Sequence, residues 1–119
     1  MPGDPVPHQT IDIDVDGRRI VADVHGEGER TLLLLNGGPG LPCDYLRDPH
    51  ARFAGQGVRV VAFDQLGCGR SDKPSDPALW RIERYVEEVE AVRQARGVGQ
   101  VDLLGHSWGG WLGIEYALP

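Results

Sequence analysis

Residues 101–117, VDLLGHSWGGWLGIEYA, carry an apolar run into Gly105-His106-Ser107-Trp108-Gly109-Gly110 and leave it as an amphipathic segment. Gly-x-Ser-x-Gly alone is a weak signal, yet three serines and 17 glycines in 119 residues give only about 0.06 chance matches. Its place matters more. The match follows a strand-like run directly and precedes a helix-like one, which is where a serine nucleophile on a sharp strand-to-helix turn must sit. Lifting Ser107 Oγ clear of a sheet strains its backbone and brings the flanking chain close, so positions 105 and 109 call for glycine. Gly110 and Gly113 are expected to let the following helix pack tightly. The helix N-terminus beneath the serine favours developing negative charge. A glycine-rich turn with a capping serine is the bland alternative. His106 projects differently from its neighbour and is expected to pack or hydrogen-bond beneath the turn rather than act as base.

The stretch LLLLNGGPGLP places Asn36-Gly37-Gly38-Pro39-Gly40 after the most apolar run of the chain. A tight turn explains it, and so does half of an oxyanion hole. Acyl transfer builds charge on a carbonyl oxygen, and two backbone N–H donors must face it. One comes from the residue after the nucleophile, Trp108, and the other from the loop after the third strand. The stretch FDQLGCGRSDKP, 63–74, follows another apolar run. Its Asp64 and Ser71 are able to hydrogen-bond nearby backbone, so alone it reads as a structural loop. No GxxxxGK[ST] and no helix-opening GxGxxG occurs, so a nucleotide site is not supported.

Around these motifs the chain alternates. QTIDIDVDGRRIVADVHG shows period-two patterning on both sides of Asp16-Gly17 and predicts a hairpin of strands 9–15 and 18–24. TLLLL (31–35), VRVVAF (58–63) and VDLL (101–104) read as strands buried on both faces. Helices are predicted near 44–55 and 79–96. In the second, Ile82, Tyr85, Val86, Val89 and Val92 recur at three and four; Glu83, Glu87 and Glu88 crowd its start, Arg93 and Arg96 its end, and Gly97 is a plausible stop. Residues 1–8, with three prolines, read as a loose arm. The order is a hairpin followed by strand–helix units, an α/β arrangement with a mostly parallel sheet and helices on both faces. The strand at 101–104 is expected to lie at an uncovered edge, prone to association.

Bulk composition narrows the function. The 119 residues are 40% hydrophobic and 25% charged with net charge −6, an ordinary globular balance that opposes binding to nucleic acid or anionic membrane. No run approaches the length of a bilayer span, and no secretory signal pattern opens the chain. Cys43 and Cys68 form no CxxC, and no histidine pair has metal-ligand spacing, so free thiols in a cytoplasmic setting and no metal are expected.

Taken together, NGGPG, DQLGCGRSD and GHSWGG, in this order and at these intervals, resemble the proline iminopeptidases (prolyl aminopeptidases), a family of α/β-hydrolases. The likeness runs from about residue 9 onward. It implies Ser107 as nucleophile, the N–H groups of Gly38 and Trp108 as oxyanion hole, release of an N-terminal proline or other small residue from a peptide or amide substrate, and no cofactor. Asn36 departs from the histidine common before the two glycines, and an amide can still bridge the loop. In this fold the triad runs Ser, then acid, then His; Asp64 and Asp72 precede Ser107, and no histidine follows it. Residues 1–119 therefore read as the N-terminal portion of such a domain, with the cap, the later strands and the triad acid and histidine outside them. The expectations are a serine aminopeptidase, inactive as this chain alone. The alternatives are an esterase or amino-acid amidase on the same core, or a non-catalytic truncated fragment or half of a split hydrolase needing a partner chain. A serine at 107 argues against an epoxide hydrolase, which uses a carboxylate.

Overall fold

The computed structural model describes residues 8–95 and 100–118. The predicted arm lies outside them except for His8, which begins β1 (His8–Val15). β1 turns through Asp16 and Gly17, both at positive φ, into β2 (Arg18–His25), with Val15 paired to Arg18. A two-residue turn with both φ positive matches the right-handed twist of the strands it joins. β3 (Arg30–Leu35) and β4 (Val58–Asp64) follow, then β5 (Asp102–Gly105). The sheet order is β1-β2-β4-β3-β5. β3 lies parallel to both β4 and β5, and β2 is antiparallel to both its neighbours, so it alone runs against the rest.

The helices take both faces, as the alternation predicts. Leu33, Leu35, Val61 and Phe63 meet Tyr85, Val89 and Val92 of α2 (Ile82–Ala95) and Leu112 of α3 (Trp108–Ala117). On the other face Leu34, Val60 and Ala62 pack on Leu46 of α1 (Asp44–His50) and on Cys43 and Ala54. Successive leucines at 33, 34 and 35 therefore serve two cores, which is why that run is apolar without alternation.

Three expectations shift. The helix near 44–55 ends at His50 and tightens into a 3-10 turn, Ala51–Phe53; Pro49 lies inside it and supplies no N–H to its hydrogen-bond ladder. The helix near 79–96 starts later. Asp76 caps a separate 3-10 turn, Pro77–Leu79, by accepting from Ala78 N at 3.0 Å, and α2 begins at Ile82. Its expected end at Arg96 and Gly97 lies outside the described residues. Glu88 is no dipole-facing acid of the first turn: it is fully buried, ion-paired with Arg84, and accepts from Leu66 N at 3.1 Å.

β5 is also less buried than its apolar sequence suggests. Asp102 and Gly105 are exposed and Leu103 and Leu104 half-buried, because among the described residues β5 pairs with β3 alone and forms the edge of the sheet. Arg30 anchors this edge through Asp102 at 2.8 Å, and α3 is tied to α2 where Tyr116 Oη donates to Glu90 at 2.5 Å. The register Leu35↔Gly105 brings the carboxyl ends of β3 and β5 side by side. Crevices at such strand ends are where open α/β sheets bind ligands.

Candidate active site

Ser107 follows β5 and precedes α3 with φ 57° and ψ −121°. A serine held there stores strain, of order 1–3 kcal/mol. The surroundings impose it. A Cβ on Gly105 would overlap Gly109 O and come within 2.7 Å of Gly110 Cα, and one on Gly109 would overlap Leu35 O. These two glycines are therefore required by close backbone approach. Gly113 is tight at 3.3 Å from Leu35 Cδ1, whereas a Cβ on Gly110 meets only Gly105 O at 3.8 Å. The expected packing role holds at 113 and not at 110, where ordinary contact is available. The Ser107 side chain makes no cap hydrogen bond and the residue is exposed. Its hydroxyl is unspent, unlike that of a capping serine.

The glycine loop after β3 lies against this turn. A Cβ on Gly37 would stand 3.1 Å from His106 O and 3.3 Å from Ser107 Cβ. The loop is closed from within. Asn36 Nδ2 donates to Leu41 O at 2.6 Å, the bridge expected of an amide at this position. Its Oδ1 is buried without a partner, a cost of about 1–3 kcal/mol. Gly37 N–H donates to Tyr45 Oη at 2.6 Å. The N–H groups of Gly38 and Trp108 have no partner among the described residues. His106 is exposed and bonded through Nδ1 to Tyr45 Oη at 2.9 Å, so it hydrogen-bonds as expected but at the surface.

Sequence reasoning missed Gln65. It is fully buried; its Oε1 accepts from Gly40 N–H at 3.3 Å and its Nε2 donates to Asn36 O at 3.4 Å, so it braces both ends of the glycine loop. Its position between Asp64 and Leu66, at the end of an apolar strand, was the available signal. Tyr45 was missed as well, since nothing local to α1 points to a loop eight residues earlier.

The 64–72 stretch is structural, as its residues suggest. Asp64 accepts from Cys43 N at 2.8 Å, Arg70 N at 3.0 Å and Arg70 Nε at 2.8 Å. Ser71 Oγ donates to Asp64 O at 2.6 Å and accepts from Val21 N–H at 2.9 Å. Arg70 also reaches the buried Asp23 at 2.7 Å, where Arg47 joins at 2.9 Å. Burial alone would raise the Asp23 carboxyl; hydrogen bonds from Arg70, Thr10 and Arg47 outweigh it and hold the group well below the usual carboxylate range. Asp64 is lowered too, burial being overcome by the Arg70 and Cys43 donors. The neighbouring thiols are free and buried. Burial pushes Cys43 up to about 12 and Cys68 to about 11, with Asp64 adding to both, so neither is poised as a nucleophile.

Beside the turn an aromatic cleft of about 180 Å³ is lined by Pro39, Trp80, Arg81, Tyr85, Trp108 and Trp111. Trp108 packs edge-on to Tyr85 at 4.8 Å and to Trp111 at 6.1 Å between centroids. Trp80 and Trp111 are 42% and 50% exposed, leaving ring surface free. The cleft adjoins both parts of the site through Trp108 and through Pro39, the neighbour of Gly38.

The other described histidines are occupied elsewhere. His8 and His25 stack at 4.2 Å on the hairpin, and His50 Nδ1 hydrogen-bonds with Leu46 O at 2.8 Å. Glu115, the carboxylate after Ser107, accepts from Trp111 Nε1 at 3.1 Å on α3. Among the described residues no helix is long and apolar enough to cross a membrane.

Comparison with known proteins agrees with this fold. Residues 30–118 match the family described as alpha/beta hydrolase fold. The chain is 43% identical over 108 residues to a proline iminopeptidase of Heyndrickxia coagulans, covering 89% of this chain and 37% of that protein. It superposes on the crystal structure of a Mycobacterium smegmatis proline iminopeptidase with a TM-score of 0.84 at 31% identity, over 92% of this chain and 39% of that one. An epoxide hydrolase of Vigna radiata superposes nearly as well, with a TM-score of 0.80 at 29% identity over 93% of this chain and 35% of that one. Backbone likeness alone therefore does not select the chemistry. The chain spans about a third of the length of the curated relatives it matches. It belongs to the α/β-hydrolase fold family, and within that family its sequence resembles the proline iminopeptidases.

Proposed function

We propose that the chain is the nucleophile-bearing part of a serine aminopeptidase of the proline iminopeptidase type. The observation that carries this reading is the exposed, uncapped hydroxyl of Ser107 on a strained turn, with the unspent N–H groups of Trp108 and Gly38 on the two segments that meet there. Ser107 Oγ attacks the carbonyl of the substrate's N-terminal residue and loses its proton to a histidine base. The two N–H groups receive the oxyanion, the amine leaves with a proton from that histidine, and water hydrolyses the acyl-enzyme. The aromatic cleft offers ring faces to a proline or other compact apolar residue. The substrate is a small peptide or amide, and no cofactor enters the step.

The base and its carboxylate come from outside these residues. His106 Nδ1 is engaged by Tyr45, and no histidine follows Ser107 in the sequence. The 119 residues alone are therefore expected to give no appreciable peptidase turnover, whether the rest is continuous chain or a second polypeptide. An esterase or amino-acid amidase shares the nucleophile and the hole and differs in what surrounds the cleft.

The test is hydrolysis of proline 4-nitroanilide, amino-acid amides and 4-nitrophenyl acetate by the protein as its source makes it. Preference for the proline amide, abolished in Ser107→Ala, supports the reading. Ester turnover with no amide hydrolysis would replace it by the esterase, and turnover that survives Ser107→Ala would remove Ser107 from the mechanism.

A further inference from the structure

Tyr45, on the opposite side of the sheet from α2 and α3, bonds to both halves of the site. It stands in the first turn of α1, and its Oη accepts the Gly37 N–H at 2.6 Å and lies 2.9 Å from His106 Nδ1. One oxygen thus joins the glycine loop to the residue before the nucleophile. The two rings meet edge-on, 5.4 Å between centroids. The contact to His106 is available to either tautomer of the imidazole, with Oη as donor or acceptor. The other side-chain bonds of the loop, Asn36 to Leu41 and Gln65 to Gly40 and Asn36, fix its ends to each other and to the residue after β4; the backbone bond from His106 N–H to Leu35 O at 3.1 Å ties the turn to the end of β3, and Tyr45 adds the tie at Gly37.

We propose that Tyr45 is a positioning residue for the oxyanion hole. Together with the His106 N–H to Leu35 O bond it holds Gly37 against His106, and so sets the spacing between the N–H donors of Gly38, one residue after Gly37, and Trp108, two residues after His106. Because Gly37 N–H is committed to Tyr45, Gly38 N–H is the loop donor left for a carbonyl oxygen. An oxyanion is stabilised only by donors already in place, so loosening this clamp weakens transition-state binding more than substrate binding. The inference rests on the serine hydrolase reading for its kinetic consequence, while the clamp itself is independent of it.

Tyr45→Phe removes Oη and keeps the ring. In the protein as its source makes it, the Gly37 amide proton should exchange about tenfold faster with β3 amides unchanged, and kcat for proline 4-nitroanilide should fall about tenfold with KM within about twofold. His106→Leu removes the other end and should give the same KM-sparing loss, whereas His106→Gln, whose amide can hydrogen-bond to Tyr45 Oη as donor or acceptor, should recover most of it. These two variants decide the matter if Tyr45→Phe does not fold. Unchanged Gly37 exchange in Tyr45→Phe, or a raised KM with unchanged kcat, overturns the proposal. Wild-type protein that hydrolyses nothing overturns the proposed function instead, and Gly37 exchange then decides the clamp.

Discussion

Two serines sit in glycine-rich motifs, and the fold treats them in opposite ways. Ser71 is buried, accepts from Val21 N–H and donates to Asp64 O, so its hydroxyl both donates and accepts in joining the 64–72 loop to β2 and β4. Ser107 is exposed at positive φ and spends nothing on a cap. The surroundings differ in kind as well. Around Ser71 the structure is held by charge: Asp23 and Asp64 buried, Arg70 and Arg47 reaching in from the surface. Around Ser107 it is held by contact, since the strand, the loop and the helix approach so closely that side chains are excluded at 105 and 109. A saturated hydroxyl adds stability. One left unsatisfied by an imposed backbone strain is available for chemistry.

The contrast can be broken most sharply at Ser107. In the protein as its source makes it, Ser107→Ala should lower proline-amide hydrolysis by a factor of about 1,000 or more, while changing stability to urea by no more than the roughly 0.5 kcal/mol expected of a surface change. A large stability loss would show that the hydroxyl is structural after all. Asp23→Asn should do the reverse. Removing one member of a buried ion pair costs about 3–5 kcal/mol, and because Arg70 and Arg47 reach solvent the expected loss is nearer about 2–3 kcal/mol. Equal urea midpoints for Asp23→Asn and wild type would mean that the network contributes nothing net.

Ser71→Ala is expected to cost about 1–2 kcal/mol, the penalty for leaving Val21 N–H unpaired. Proline-amide hydrolysis should persist; its loss would make the two motifs one functional unit. The pH dependence sharpens the same point. Asp23 and Asp64 have folded-state values lowered from 3.8, so the unfolded chain binds protons more readily than the folded one. Their contribution is complete above about pH 4 and is lost as pH falls toward the folded-state values. Glu88 acts oppositely. Burial raises it above 4.5 despite Arg84, so its contribution is full below that pH and declines as pH rises through the raised value. Glu88→Gln should remove that decline, and urea midpoints followed from pH 3 to 8 test both signs. The smallest effect belongs to Tyr116→Phe, which loses the bond to Glu90 at the partly exposed α2–α3 contact and should shift stability by less than about 1 kcal/mol.

Much of this was legible along the chain. Continuous leucines at 32–35 announce a strand with a core on each side, Asp16-Gly17 a hairpin turn, and glycines at 105 and 109 a turn too tight for side chains. Each of these is a local consequence of period, of positive φ or of an absent Cβ, and so is written in neighbouring residues. The helix limit at Pro49 was readable in principle, and the periodic apolar positions of the second helix begin at Ile82, where α2 begins.

Other features needed the third dimension. Glu88 has the sequence context of a solvated acid, and only the packing of α2 under Leu66 buries it. Gln65 and Tyr45 brace the glycine loop from 25 and 8 residues away along the chain. Gly110 occupies a glycine-rich turn yet has room for a side chain. Which segments become strands and helices, and where the tight turn at Ser107 falls, could be read along the chain because those depend on interactions between near neighbours. Which polar groups are buried, which amides remain unspent and which side chain joins the loop to the turn were decided by tertiary structure, because such partnerships form only when distant segments share the same few ångströms of space.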